Sequence, residues 1–184
     1  MTAASPSAEF MDWYAPFHDR FMKYCASQTF GLASAEDIAQ DAVLSALEQW
    51  NRLEDKDRLL AYMIGIVNHR VRNQLRSARV QQRYLQERRR HLSDRLPAQP
   101  ELALDLHYLL RAIDLLPEQS KEALLLTAVS GWSIREVADI QQSTPGAVKT
   151  RISRARKELR EKFAEDGKPL RISERLTIYA SLLL

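Results

Sequence analysis

The stretch SIREVADIQQSTPGAVKTRISRARKEL, residues 133–159, decides the fold. Ser133 with Glu136 three residues on is a capping box, in which hydroxyl and carboxylate each satisfy a backbone N–H at a helix start. A short helix carrying Val137, Ala138 and Ile140 follows, then a tight turn over Gln141–Ser143. Thr144 is placed to cap a second helix, and Pro145 suits its first position, where proline has no useful N–H to lose. Val148, Ile152, Ala155 and Leu159 then recur at steps of four, three and four, which is one face of a helix. That leaves Lys149, Thr150, Ser153, Arg154 and Lys157 pointing outward. The pattern predicts a helix-turn-helix, with the first helix as buttress and the second in the major groove of DNA. An ordinary helical hairpin with a solvated basic face fits the same spacing.

Upstream, Leu102, Leu106, Leu109 and Ile113 stripe another helix, which stops before Pro117. Pro117 suits the first turn of the next helix and Gly131 its C-terminal cap. Pro97 and Pro100 interrupt any helix, so residues 88–100 are a linker between two domains, 1–87 and 101–165. In the first half, Phe10, Trp13, Tyr14, Phe17, Phe21 and Tyr24 recur at helical spacing from about Glu9 to Gln28, and Gly31 ends the pattern. Ser34 as N-cap, with Asp37 as a capping-box-like partner three residues on, marks the start of a helix facing inward with Ala39, Ala42, Val43, Ala46, Leu47 and Trp50. A third helix begins near Asp57, striped by Leu60, Met63, Ile64, Val67, Val71 and Leu75. Its outward positions include His69, Arg70, Arg72, Asn73 and Arg76.

Composition agrees with an all-α chain of two small helical domains joined by a flexible linker, the second a helix-turn-helix domain. Only 5 of 184 residues are Gly, and the long runs are rich in good helix formers. The 45% apolar content is enough for packed cores. The single cysteine, Cys25, forbids an internal disulfide and any Cys-based zinc site, and reads as a small buried hydrophobe. The four His are dispersed, no His/Asp/Glu cluster has ligand spacing, and no Gly-rich phosphate loop is present, so neither metal, cofactor nor catalytic residues are expected. No apolar run reaches membrane-spanning length and the N-terminus lacks a signal-peptide pattern, so a cytoplasmic protein without membrane insertion is expected.

The net charge of +3 hides strong segregation. Residues 1–55 carry three Lys/Arg against nine Asp/Glu, and residues 56–95 carry eleven against three. Lys149 to Lys162 holds seven basic residues and two acidic ones. Such zoning points to two kinds of partner, one of them polyanionic.

The stretch LPEQSKEALLLTAVSGWSIREVADIQQSTPGAVKTRISRARKEL, residues 116–159, resembles the C-terminal domain of extracytoplasmic-function (ECF) sigma factors of bacterial RNA polymerase. AEDIAQDAVLSALEQW resembles that family's polymerase-binding segment, and YMIGIVNHRVRNQLRSAR its promoter-melting and −10-reading segment. The three stretches occur in the family's order and spacing across roughly residues 15–163. The resemblance implies a non-enzymatic initiation factor that binds core RNA polymerase and promoter DNA. It also implies a restraining anti-sigma protein. Asp37, Gln40, Asp41, Leu44 and Glu48, opposite the core stripe of their helix, become the expected polymerase face. Without the resemblance, a solvated helix with one stray Leu fits as well. His69, Arg70, Asn73 and Arg76 become the expected −10 face. Gly146, Ala147, Lys149, Thr150, Ser153, Arg154 and Lys157 become the expected −35 face, the two small residues letting the helix N-terminus approach a phosphate.

Four departures stand out. Tyr62 replaces a common Trp, His69 a common Asn, Gln142 a usual Gly and Ser143 a usual apolar residue. Tyr62 and Trp50 read as core aromatics. The tail, 166–184, lies outside the resemblance; packing on a domain or contact with a regulatory protein would both suit it. A ligand-responsive repressor needs an apolar pocket and a dimer interface, and a recombinase-like enzyme needs clustered carboxylates; none of these features is identifiable in the sequence.

Overall fold

The computed structural model describes residues 5–29, 34–75 and 108–164, and all regular elements among them are helical. Helix α1 (Pro6–Tyr14) starts at Ser5, whose hydroxyl accepts the Ala8 N–H. The single helix expected from about Glu9 to Gln28 is in fact interrupted. Pro16 supplies no N–H and crowds the preceding turn, so Ala15–Phe17 tightens to a 3-10 turn before α2 (His18–Thr29). The aromatic stripe still packs inward, except Trp13, which is 38% exposed.

Helix α3 (Ala35–Glu48) begins at Ser34, which accepts the Asp37 N–H at 3.4 Å. The reciprocal partner expected at Asp37 is absent: the Ser34 hydroxyl donates to Glu36 instead, and that bond holds the Glu36 carboxyl below its usual range. Ala39, Ala42 and Ala46 are buried, and Val43 and Leu47 half-buried. Helix α4 (Leu59–Leu75) follows two 3-10 turns, Trp50–Arg52 and Lys56–Arg58. Trp50 anchors the corner between α3 and α4. It is 1% exposed, edge-on to Phe10 at 5.5 Å, under the Lys56 ammonium at 3.8 Å, and its indole N–H reaches Glu9 Oε2 at 3.3 Å. Tyr62, expected in the core, is exposed, because α4 turns Leu59, Met63 and Ile64 inward instead.

Cys25 is buried, and burial pushes its thiol up to about 12. Since the thiolate is the nucleophile, native protein at pH 8 is expected to resist iodoacetamide and to react only after unfolding. Intact-mass spectrometry of native and denatured samples checks this.

In the second half, a helical stretch over 108–114 buries Leu109 and Ile113. Leu102 and Leu106, the linker 88–100, Arg76, Gly31 and the tail 166–184 lie outside the described residues. Pro117 is the N-cap of α5 (Glu118–Ala128) and not part of its first turn. Val129, not Gly131, is the C-cap; Gly131, at φ +76°, then turns the chain so that the Trp132 N–H reaches the Leu126 carbonyl at 3.0 Å. Ser133 and Glu136 form both halves of the expected capping box at the start of α6 (Ile134–Ile140). Gln142 takes φ +49°, the left-handed conformation that costs a non-Gly residue about 1 kcal/mol. Helix α7 (Pro145–Ala164) begins at Thr144, whose Oγ1 accepts the Ala147 N–H at 3.2 Å.

Candidate nucleic-acid interface

Helix α7 meets its domain through Val148, Ile152, Ala155 and Leu159, all buried as the spacing requires. Its opposite side is therefore open: Gly146, Lys149, Thr150, Ser153, Arg154 and Lys157 are exposed, and Ala147 half-buried. The helix is twenty residues long, about 30 Å, enough to lie along a major groove. Among the described residues neither Lys149 nor Arg154 has an ionic partner, so both charges are available to an anion. Lys157 lies 3.7 Å from Glu161 in an exposed i,i+4 pair, which costs little to break. The Thr150 hydroxyl donates to the Gly146 carbonyl at 3.0 Å.

Two basic residues belong beside this set. Arg156 and Arg160 join Lys149, Ser153, Ile134 and Ile152 around a hollow of about 330 Å³ at the start of α6. The spacing 149, 153, 156, 160 places them on one flank of the helix and was available in the sequence. Arg151 faces the other flank. Its guanidinium donates to Gln141 Oε1 at 2.8 Å, and Gln141 Nε2 donates to Glu122 Oε1 at 2.8 Å, tying the turn to α5. Burial pushes the Glu122 carboxyl up, against the hydrogen bonds from Gln141 and Asn68.

Of the expected −10 residues, the three that are described share one side of α4. His69, Arg70 and Asn73 are exposed, and the Asn73 amide lies 3.4 Å from the His69 ring. On α3, Asp37, Gln40, Leu44 and Glu48 are exposed and Asp41 half-exposed, so the five form one stripe with Leu44, 58% exposed, at its centre. Asp41 Oδ2 lies 3.4 Å from the Arg70 guanidinium, so the two expected faces adjoin. Among the described residues no three His, Cys, Asp or Glu side chains gather as a metal ion needs, and no helix is long and apolar enough to cross a membrane.

An acidic helix face around an exposed leucine, a basic helix beside it and a separate helix-turn-helix define a two-part, promoter-reading helical factor. The comparisons agree. Sigma-70 region 2 matches residues 13–81, and sigma-70 region 4 matches residues 106–159. The sigma factor CarQ of Myxococcus xanthus is 29% identical over 157 residues, covering 85% of this chain and 90% of that protein. The ECF sigma factor EcfG of Rhodopseudomonas palustris is 29% identical over 135 residues, covering 72% and 73%. The ECF sigma factor SigD of Mycobacterium tuberculosis is 31% identical over 138 residues, covering 73% and 65%. Two solved structures share the fold. CnrH, in complex with the cytosolic domain of CnrY, has TM-score 0.55 and 23% identity, covering 85% of this chain and 88% of that one. The sigma factor RpoE of Bartonella quintana, in complex with the anti-sigma factor NepR, has TM-score 0.53 and 24% identity, covering 85% and 97%.

The chain belongs to the ECF group of sigma-70 RNA polymerase sigma factors. It binds core polymerase and directs promoter-specific initiation through −35 and −10 elements.

Proposed function

We propose a division of labour among three helix faces on two domains, 1–87 and 101–165. Asp37, Gln40, Asp41, Leu44 and Glu48 on α3 dock core polymerase. His69, Arg70 and Asn73 on α4, with Arg76 beyond it, hold the −10 strand. Gly146, Ala147, Lys149, Thr150, Ser153, Arg154 and Lys157 on α7 read and grip the −35 duplex. The observation that carries this is that the described members of each set are exposed or half-exposed on the side of their helix away from the core. An apolar centre with a polar rim is the anatomy of a protein interface, whereas an open cationic helix face suits phosphate. The chain works without catalysis of its own, in the cytoplasm where core polymerase resides. A restraining anti-sigma protein is its expected regulator, as NepR is for the RpoE it resembles.

Asn73→Ala tests the −10 assignment. Capturing an unstacked strand follows docking, so the variant is expected to lower open-complex formation several-fold while initial promoter association changes little. Permanganate footprinting at saturating protein reads the melted thymines. Unchanged reactivity would remove Asn73 from the strand-holding face.

A further inference from the structure

The recognition helix is joined to its buttress by a stretch with little packing of its own. Helix α6 has seven residues and buries Val137 and Ala138, and the next buried side chain is Val148 on α7. From Asp139 to Ala147 no side chain is buried. The backbone bonds there are local: the Gln142 N–H reaches the Asp139 carbonyl at 3.2 Å, and the Ser143 N–H the Ala138 carbonyl at 2.8 Å. They close the turn but do not tie it to the rest of the domain. Gln142, at φ +49°, is strained in the left-handed region, and a two-turn helix such as α6 is marginal without tertiary support. Apolar burial therefore does not fix the angle at which α7 leaves the turn.

The fixing contacts come from Gln141, the C-cap of α6. Its Nε2 donates to the Gln119 carbonyl at 2.9 Å and to Glu122 Oε1 at 2.8 Å, both on α5. Its Oε1 accepts the Arg151 guanidinium of α7 at 2.8 Å. One side chain thus bridges three helices with both amide N–H groups and the oxygen engaged. Glu122 is held in turn, since its other oxygen accepts the Asn68 amide of α4. Arg151, half-buried, commits its charge to this clamp and not to the open face that carries Lys149, Thr150, Ser153 and Arg154.

A small error at the turn is magnified along α7. Arg154 lies nine residues beyond Pro145, the first residue of the helix. At a rise of 1.5 Å per residue that is about 13 Å, so a tilt of about 10° at the turn carries Arg154 by roughly 2 Å. A side chain that must meet a base edge with two parallel bonds has to be held within about 0.5 Å. An ammonium on a flexible stem follows a phosphate through such a shift. Loosening the turn should therefore erode base reading and spare the attraction to phosphate.

We propose that Gln141 is a positioning residue for −35 recognition: bonded to Gln119 and Glu122 on α5 and to Arg151 on α7, it fixes the tilt of the recognition helix and so places Arg154 against its base. Arg151 belongs to this clamp and not to the phosphate-gripping set. The inference rests on the reading of α7 as the −35 helix with Arg154 as a base reader.

Holoenzyme affinity for a promoter the chain uses and for its −35-substituted form, taken over a salt series, tests this. Gln141→Ala is expected to cut the preference between the two about five- to tenfold, within the range of one bidentate base contact. Its salt slope should stay that of the parent, since no phosphate contact is lost. Arg151→Ala should behave alike, whereas Arg151→Lys, which keeps a donor for Gln141, should retain most of the preference. Gln141→Glu sets a second carboxylate against Glu122 and should lose the preference. Adding Glu122→Gln returns a donor to that pair and should restore most of it. In an Arg154→Ala background, Gln141→Ala should change the preference by less than about twofold, because both act on one contact. Circular dichroism and thermal melting establish that each variant is folded. Full preference in Gln141→Ala, a salt slope lowered by about one in Arg151→Ala, failure of Glu122→Gln to rescue Gln141→Glu, or a loss that adds in full to that of Arg154→Ala would each overturn the clamp. Where Arg154→Ala alone keeps full preference, the base-reading assignment falls and Gln141→Ala decides the clamp by itself: a loss retains it for another reader on α7, and no loss overturns it.

Discussion

Leu44→Asp is expected to weaken binding to core polymerase by about 2–4 kcal/mol, thirtyfold to a thousandfold, the range of a central interface residue. Leu44 is the large apolar side chain at the middle of an acidic stripe, with Asp41 and Glu48 beside it. An aspartate there brings a charge into a surface that must lose its water, beside the acidic Asp41 and Glu48. The fold is spared, because the position points away from Ala42 and Ala46, which face the core. Replacing a leucine by aspartate in an exposed helix turn costs only about 0.5 kcal/mol. Fluorescence anisotropy of a dye-labelled chain titrated with core polymerase gives the affinity, and circular dichroism gives the helix content. Parental affinity in a folded variant would move the docking face elsewhere.

Arg154→Ala and Lys149→Ala are expected to damage promoter binding in different ways. Arg154 is exposed opposite the core stripe, without an ionic partner among the described residues. A guanidinium can bond a guanine edge with two parallel N–H groups, a contact that discriminates by about 1–3 kcal/mol. Its loss should bring a consensus promoter and a −35-substituted one closer in affinity by that amount. Lys149 stands near the N-terminus of α7, beside Arg156 and Arg160 around the basic hollow. An ammonium suits phosphate, so its loss should weaken both promoters alike and lower the salt slope by about one. Holoenzyme affinity for both promoters across a salt series separates the two effects. Full consensus preference retained in Arg154→Ala would mean that this side chain does not read a base.

What the sequence made legible was chemistry confined to a few neighbouring residues. Ser133 with Glu136 and Thr144 with Pro145 mark their helix starts within one turn, and both formed as expected. The inward stripes of α3, α4 and α7 follow from helical period alone. Pro16 should have broken the aromatic stripe, but an unbroken apolar spacing on either side concealed it. Tyr62 lies off the stripe of Met63, Ile64, Val67 and Val71 that the spacing predicted; its aromatic side chain, not its position on the helix, suggested a core residue. The joint between the halves was beyond reach. Arg20 meets Glu136 across 116 residues and Asn68 meets Glu122 across 54, and no local spacing encodes such a meeting. The Glu122–Gln141–Arg151 chain is hidden for the same reason, whereas Arg156 and Arg160 were overlooked although their spacing was plain.

Transcription from a defined template set with purified core polymerase tests the account most directly. Core polymerase alone and core polymerase with this chain are supplied with the same bacterial genomic fragments, and the RNA 5′ ends are mapped. The chain is expected to create discrete start sites that share one sequence near −35 and another near −10, and to lose them when Leu44→Asp replaces the parent. Start sites indistinguishable from those of core polymerase alone, with a chain shown to be folded, would contradict it.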